Sequence, residues 1–493
     1  MVLVICIDGI LVLFWMDNLL AFLFWVFGGI LIFCTLVEGY ELCELMLIDR
    51  LRGAKLPRES DEPFVSFHVP ICSEPPEVVA RTLRALGAIN YSAFEVLVVD
   101  NNTADELLWR PVEALCRELG SRFRFFHLSS CPGFKAGALN YALQQTTSEA
   151  SVVSVVDADY EVAPNFLTEL MGYFQDNGIA FVQTPQDYRD WSANLFSRIC
   201  YWEYWQVFAV SMALRDRQNA ILMHGTMNLI RKDAIVCAGG WAEWCLTEDS
   251  ELGLRLLANG ARGIYVTKTY GRGLMPFTFR DYKRQRRRWV IGGVQQIKRH
   301  ARFFRPLQRG LNSLTAGQKA HYLRWWLRWV CDATIVASLP LSICGAILVL
   351  GGFSYIKLFW PLSVGLLSVL TQLILRAIVV YRLYLALPWR SALGAMLANC
   401  SLIWTIGCAW LAGSIMAHQV FQRTPKRPHA EPSWILVARG ETLASIAPFL
   451  FGIALFAKLG LSALAASLSL SVYFVFFLPG LIMARLSAGE RRR

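Results

Sequence analysis

The feature that most limits what this chain can fold into is the placement of its apolar residues. Long apolar runs fill both ends (2–15 and 19–37; then 331–351, 358–380, 393–417, 444–459 and 462–484), and a mixed stretch over 60–270 separates them. A hydrocarbon layer needs about 20 apolar residues per helical crossing. The pattern therefore predicts membrane helices on either side of one folded domain. Hydrophobic residues are 55% of the 493, above the roughly 45–50% of soluble domains. The run 2–15 is short for a crossing, and Met16-Asp17-Asn18 parts it from the next. No small-residue cleavage site follows, so two retained helices are expected within 1–45.

A formal net charge of +11 would suggest nucleic acid in a soluble protein. Here the basic clusters (Arg50, Arg52, Lys55 and Arg58; Arg286 to Arg288; Arg491 to Arg493) adjoin apolar runs. That placement suits an anionic cytoplasmic leaflet and membrane lipids, with no nucleic acid partner. Basic residues at 382–390, 423–427 and 491–493 all fall on the cytoplasmic side only if 393–417 lies in the interface. Two crossings then precede the central domain and four follow it. The 13 cysteines contain no C-x-x-C pair and read as small apolar residues in a reducing compartment.

Between the apolar ends, short runs (Val65 to Pro70, Phe94 to Val99, Arg122 to Leu128, Ser151 to Val156, Ile179 to Gln183) alternate with amphipathic stretches. This predicts a mainly parallel α/β sheet, whose ligands bind at the carboxyl ends of the strands. The stretches 191–215 and 274–300 mix aromatic and basic residues and should lie along the membrane surface.

Four short motifs carry candidate chemistry. Asp157-Ala158-Asp159 follows an apolar run. Two carboxylates with one spacer suit Mg²⁺ or Mn²⁺ bridging a diphosphate, although such a pair also caps ordinary turns. Asp100-Asn101-Asn102 ends another strand and could hold a base or ribose, or be a plain turn. Thr247-Glu248-Asp249 opens a helical run, where an acid is either an N-cap or a general base. Gln285-Arg286-Arg287-Arg288-Trp289 is either a basic interface helix or a place where arginine binds diphosphate and tryptophan stacks on sugar.

In this order, inside one α/β segment between membrane helices, the four motifs resemble the family-two processive glycosyltransferases, which include cellulose, curdlan, chitin and hyaluronan synthases. The resemblance spans about 60–435. It extends to Pro70-Ile71-Cys72-Ser73-Glu74, where relatives end the turn in Asn-Glu, and to Lys135-Ala136-Gly137-Ala138-Leu139-Asn140. His224-Gly225-Thr226 also matches, as does Phe421-Gln422-Arg423-Thr424-Pro425-Lys426, similar to the gating loop of cellulose synthases.

The resemblance implies an α/β GT-A (Rossmann-like) domain under an α-helical transmembrane channel with amphipathic interface helices. Its parts would be N-terminal helices in 1–45 and a cytoplasmic catalytic domain with interface helices in 60–300. A membrane hairpin and interface helix would follow in 315–417, a gating loop in 418–434, and C-terminal helices with a basic tail in 444–493. Asp249 would be the catalytic base. Glu74, Asp100, Lys135, Asp157, Asp159, Gln285 and Arg288 would bind the donor, with the metal (Mg²⁺ or Mn²⁺) on Asp157 and Asp159. His224, Glu248 and Trp289 would meet the acceptor, and Phe421, Thr424 and Lys426 would gate the site. The implied partners are a UDP-sugar, the growing polysaccharide, membrane lipids and an accessory subunit for regulation. The reaction would invert the anomeric centre.

For the product, Gln183-Thr184-Pro185-Gln186 and the stretch Gly239 to Asp249 look like bacterial β-glucan synthases. Tyr322 to Trp329, followed by Asp332, leans towards β-1,3-glucan. UDP-glucose is the expected donor. Chitin- or hyaluronan-type synthesis and single-sugar transfer to a lipid are the alternatives. A transporter would carry charges at a midplane site, and the late apolar runs carry few.

Overall fold

The computed structural model describes residues 2–47, 62–305, 310, 312–352, 359–416 and 432–489. The central domain is built on a seven-stranded sheet. In chain order the strands are β1 (Val65–Ile71), β2 (Phe94–Asn101), β3 (Phe123–Leu128), β4 (Val152–Val155), β5 (Glu161–Val162), β6 (Ile179–Gln183), β7 (Asp187–Tyr188), β8 (Asn228–Arg231), β9 (Arg262–Tyr265) and β10 (Gly271–Gly273). The large sheet runs β3-β2-β1-β4-β8-β6-β9, and β5-β10-β7 form a small second sheet. All eight residues of β2 are buried, as expected for a strand covered by helices on both faces.

The large sheet is mainly parallel, as the sequence predicts, with one reversed strand. Strand β8 runs antiparallel to both β4 and β6, a direction that the periodicity of a single strand does not carry. The β1, β2, β3 and β4 pairs are parallel. Their carboxyl ends therefore open on one edge, where Ile71 registers with Asp100 and His68 with Val155.

Local chemistry starts the covering helices. Pro76 opens the helix Pro76–Gly87, which buries Val79, Leu83 and Leu86; proline at the first helical position loses no hydrogen bond. Asp105 caps Glu106–Leu119 by accepting from the Leu107 N–H. The amphipathic stretches fold as helices Leu195–Gln206 and Phe279–His300.

The N-terminal region differs from expectation. A single continuous helix runs Val2–Leu47, so Met16-Asp17-Asn18 do not break it. Among the described residues, five helical stretches are long and apolar enough to cross a membrane: Asn18–Leu47, Ala316–Leu350, Phe359–Tyr384, Trp389–Ile415 and Arg439–Gly489. The last is a hairpin, Arg439–Leu459 and Leu464–Gly489, folded at Gly460 with φ 58°. The stretch read as an interface helix (393–417) is two helices, Trp389–Ser401 and Ile403–Ile415. The first packs on Leu195–Gln206 and Leu464–Gly489 and the second on Phe279–His300 and Ala316–Leu350, so this stretch lies between the central domain and the apolar helices.

Candidate active site

The open carboxyl edge of the sheet forms a cleft of about 1030 Å³ whose walls include Glu74, Asn101, Lys135, Asp157, Asp159, Gln186, Glu248, Asp249, Gln285, Arg288 and Trp289. Each comes from a different place. Glu74 follows β1 through Ser73, whose φ of 50° is left-handed, a region that asparagine tolerates better than serine. Lys135 stands in the first turn of the helix Phe134–Gln145, and Asp157 and Asp159 leave β4. Asp249 is in the first turn of Glu248–Ala258. Gln285, Arg288 and Trp289 share one face of Phe279–His300, at i, i+3 and i+4.

Charges organise the cleft. The Lys135 ammonium lies 2.6 Å from Asp157 Oδ1 and 3.6 Å from Glu248, and donates to the Gly225 carbonyl at 2.9 Å. Burial works against that ammonium, but Asp157, Glu248 and Asp249 outweigh it and raise its pKa. Asp159 Oδ2 accepts from the Leu274 N–H at 2.8 Å, and Arg189 donates to the Asp159 carbonyl. Asp249 accepts from the Ser250 N–H at 2.8 Å. Burial, then the neighbouring Glu248 carboxylate, push the Asp249 carboxyl up to about 7. A Cβ on Gly225 would come within 2.8 Å of Lys135 Nζ and 2.9 Å of Asp249 Oδ2, so a larger residue here would displace both charged groups.

A second cavity of about 660 Å³ continues from the first. Gln186, Thr247, Asp249 and Trp289 belong to both walls. Beyond them the lining is Phe208, Met223, His224, Gln296 and the tryptophans 325, 326 and 329. Trp410 packs edge-tilted on Trp329 at 6.3 Å. His224 is kept neutral, pushed down to about 3 by burial and by Arg215.

The structure thus brings Glu74, Lys135, Asp157, Asp159, Glu248, Asp249, Gln285, Arg288 and Trp289 to one cleft, and places His224 in the adjoining cavity. Two positions differ from the sequence reading. Asp100 does not line the cleft; Asn101 does. The Asp100 carboxylate is buried behind the wall, accepting from Thr103 Oγ1 at 2.6 Å and meeting His127 Nδ1 at 2.7 Å. Burial raises its pKa against those two partners, so it shapes the β2 end without facing the cleft. Glu248 lines the first cleft next to Lys135, not the second cavity. The gating-loop residues Phe421, Thr424 and Lys426 lie outside the described residues. Gln186 and the three tryptophans sat inside stretches whose pattern was visible, but nothing in sequence spacing aimed them at Asp249.

No group of three or more His, Cys, Asp or Glu side chains is arranged around a metal among the described residues. The donor set still suits Mg²⁺ or Mn²⁺, which is bound through one or two carboxylates together with substrate phosphates. Asp157 and Asp159 supply the carboxylates, and Lys135 already marks Asp157 as a place for positive charge.

Residues 63–292 match the family model described as "Glycosyltransferase like family 2". Over this segment, just under half of the chain, the protein is similar to family-2 glycosyltransferases. Among curated proteins, a probable glucomannan 4-beta-mannosyltransferase 2 of Oryza sativa subsp. japonica is 27% identical over 246 residues, 48% of this chain and 42% of the rice protein. Glucomannan 4-beta-mannosyltransferase 1 of Cyamopsis tetragonoloba is 26% identical over 253 residues, 50% of this chain and 48% of that protein. The chain therefore spans less than half the length of these relatives. Among solved structures, a mannosyltransferase from Pyrobaculum calidifontis in complex with GDP-Man and Mn²⁺ superposes with a TM-score of 0.51 at 17% identity, over 78% of this chain and 99% of that one. The likeness identifies the fold: the glycosyltransferase domain is of the GT-A type, with long apolar helices following it.

Proposed function

We propose that the chain is an inverting, processive hexosyltransferase that lengthens a β-linked polysaccharide at a membrane. The observation that carries this reading is the position of Asp249 on the wall shared by the two cavities. One cavity is charged and suits a nucleoside-diphosphate sugar. The other is lined by tryptophans, whose flat faces suit a sugar chain.

In this arrangement the acceptor hydroxyl attacks the donor's anomeric carbon from the side opposite the diphosphate. Its proton passes to Asp249, and the bond to the diphosphate breaks with inversion. Arg288 and Lys135 take up charge on the departing diphosphate. A divalent cation on Asp157 and Asp159 would supply Lewis-acid stabilisation of the same charge. Trp289, at the junction, would support the terminal acceptor sugar. The cleft would face the cytoplasm, and Phe421, Thr424 and Lys426 would close it over the donor.

UDP-glucose, giving a β-glucan, is the donor that the sequence motifs favour. The mannosyltransferase names of the relatives favour a mannosyl donor as the second reading. Membranes containing the protein should incorporate label from UDP-glucose or GDP-Man into a polymer cut by a linkage-specific β-glucanase or β-mannanase. EDTA should stop incorporation, and Mg²⁺ or Mn²⁺ should restore it. Label recovered only as a single sugar on a lipid would replace the polymerase reading, and no incorporation from any nucleotide sugar would sink it.

A further inference from the structure

Three consecutive arginines precede Trp289, and the structure gives them different surroundings. Arg288 lines the donor cleft. Arg286 does not. It is 6% exposed and paired with Glu203, itself 4% exposed on the helix Leu195–Gln206. Glu203 also accepts from Tyr282 Oη at 2.7 Å. The Arg286 guanidinium carbon stands 4.4 Å from the Tyr204 ring centre, 4.5 Å from that of Trp289 and 5.3 Å from that of Tyr282. Its Nε makes no hydrogen bond, so aromatic faces take the place of acceptors around it. Tyr204 in turn donates to Gln285 Oε1 and packs on Tyr188 at 5.2 Å. A cation neutralised by its own carboxylate and walled in by rings has no charge left for a diphosphate. What it touches instead is one face of the tryptophan at the junction of the two cavities.

We infer that Arg286 is a positioning residue for the acceptor: it covers one face of Trp289 and fixes the ring plane, leaving only the opposite face for the terminal sugar. This inference rests on the proposed function, and deepens it by assigning the register of the acceptor to a residue outside the donor cleft. The planar guanidinium is needed because it lies against Tyr204 and Trp289 while holding Glu203; an ammonium keeps the ion pair but loses the flat contacts.

The test compares wild type with Arg286→Lys in membranes or detergent. Nucleoside-diphosphate affinity, nucleoside diphosphate released, sugar transferred and product length are measured together. Arg286→Lys should keep nucleotide affinity within about twofold, while sugar transferred per nucleotide released falls about tenfold and the product shortens. Adding Trp289→Phe should cost less in the Arg286→Lys background than in wild type, because the two residues act through one ring. A transfer ratio and product length equal to wild type would overturn the inference while leaving the polymerase reading intact. Loss of nucleotide affinity would overturn it too, making Arg286 a donor-site or purely structural residue. Glu203→Gln supplies a second variant under the same criteria where Arg286→Lys does not fold. Wild type that transfers no sugar at all would remove the proposed function itself.

Discussion

In the proposed reaction Asp249 would be the base, and burial shifts its carboxyl to a pKa that suits that role at neutral pH. Its folded pKa, about 7 against an ordinary 3.8, means that the cleft disfavours the charged form. Only the charged form can take the acceptor's proton, so turnover should fall as pH drops through about 7. Asp249→Asn should lose about 10²-fold to 10⁴-fold of transfer while keeping nucleotide affinity, measured as labelled polymer and by nucleotide titration. The stability sign is opposite. A raised folded pKa contributes stability that is present below pH 3.8 and lost as pH rises through about 7. Asp249→Asn should therefore melt higher than wild type at pH 8. A variant with wild-type turnover and an unchanged melting temperature would contradict both assignments. The acidic motifs were legible at this scale because strand ends and D-x-D spacing are local. The retreat of Asp100 behind Asn101 was not, since it depends on His127 reaching back from β3.

The helix Phe279–His300 ties the site to the apolar helices, and it does so through glycines. A Cβ on Gly292 would lie 2.2 Å from Thr247 Oγ1, and one on Gly293 would lie 2.3 Å from the Trp329 ring. Thr247 immediately precedes the turn that carries Glu248 and Asp249, and Gln296 donates to Thr247 Oγ1 at 2.9 Å. Gly292→Ala should push the helix off this turn, costing about 1–3 kcal/mol of stability by overpacking and lowering transfer more than nucleotide binding. Thermal melting and initial-rate assays check it; an alanine accepted at no cost in either would refute the close contact. Amphipathic spacing was enough to locate this helix. The reason for its two glycines was not visible, because the crowding atoms belong to a loop about 45 residues earlier and a helix about 35 residues later. Strand direction is a similar case. Periodicity marks a strand, but its direction is set by which neighbours it pairs with in the sheet, and β8 pairs antiparallel with both β4 and β6.

Across the whole molecule, the N-terminal helix is bound to the later helices by charge and by close backbone packing. Glu38 pairs with Arg328 and, at 2.5 Å, with Arg376; Glu41 meets Arg328 at 2.7 Å and Glu44 meets Arg324 at 3.2 Å. Gly28 leaves no room for a Cβ, which would be 2.3 Å from the Pro361 carbonyl; small residues let apolar helices approach in this way. Glu38→Ala takes the carboxylate from Arg376 and leaves Arg328 with Glu41 alone, and should cost about 3–5 kcal/mol, seen as earlier thermal aggregation in detergent. Melting like wild type would show that the network contributes nothing to assembly.

The order of apolar and mixed segments determined by itself that helices suited to a membrane flank one α/β domain. The motifs at its strand ends and helix starts determined most of the acids and bases that meet there, Asp100 excepted, because both signals are written within a few residues of chain. Tertiary structure alone decided that the N-terminal runs form one helix, that β8 reverses, and that Asp249 belongs to two cavities at once. It alone turned Arg286 away from the cleft that receives Arg288. Those outcomes depend on packing between segments far apart in the chain, and packing energy has no period along a sequence.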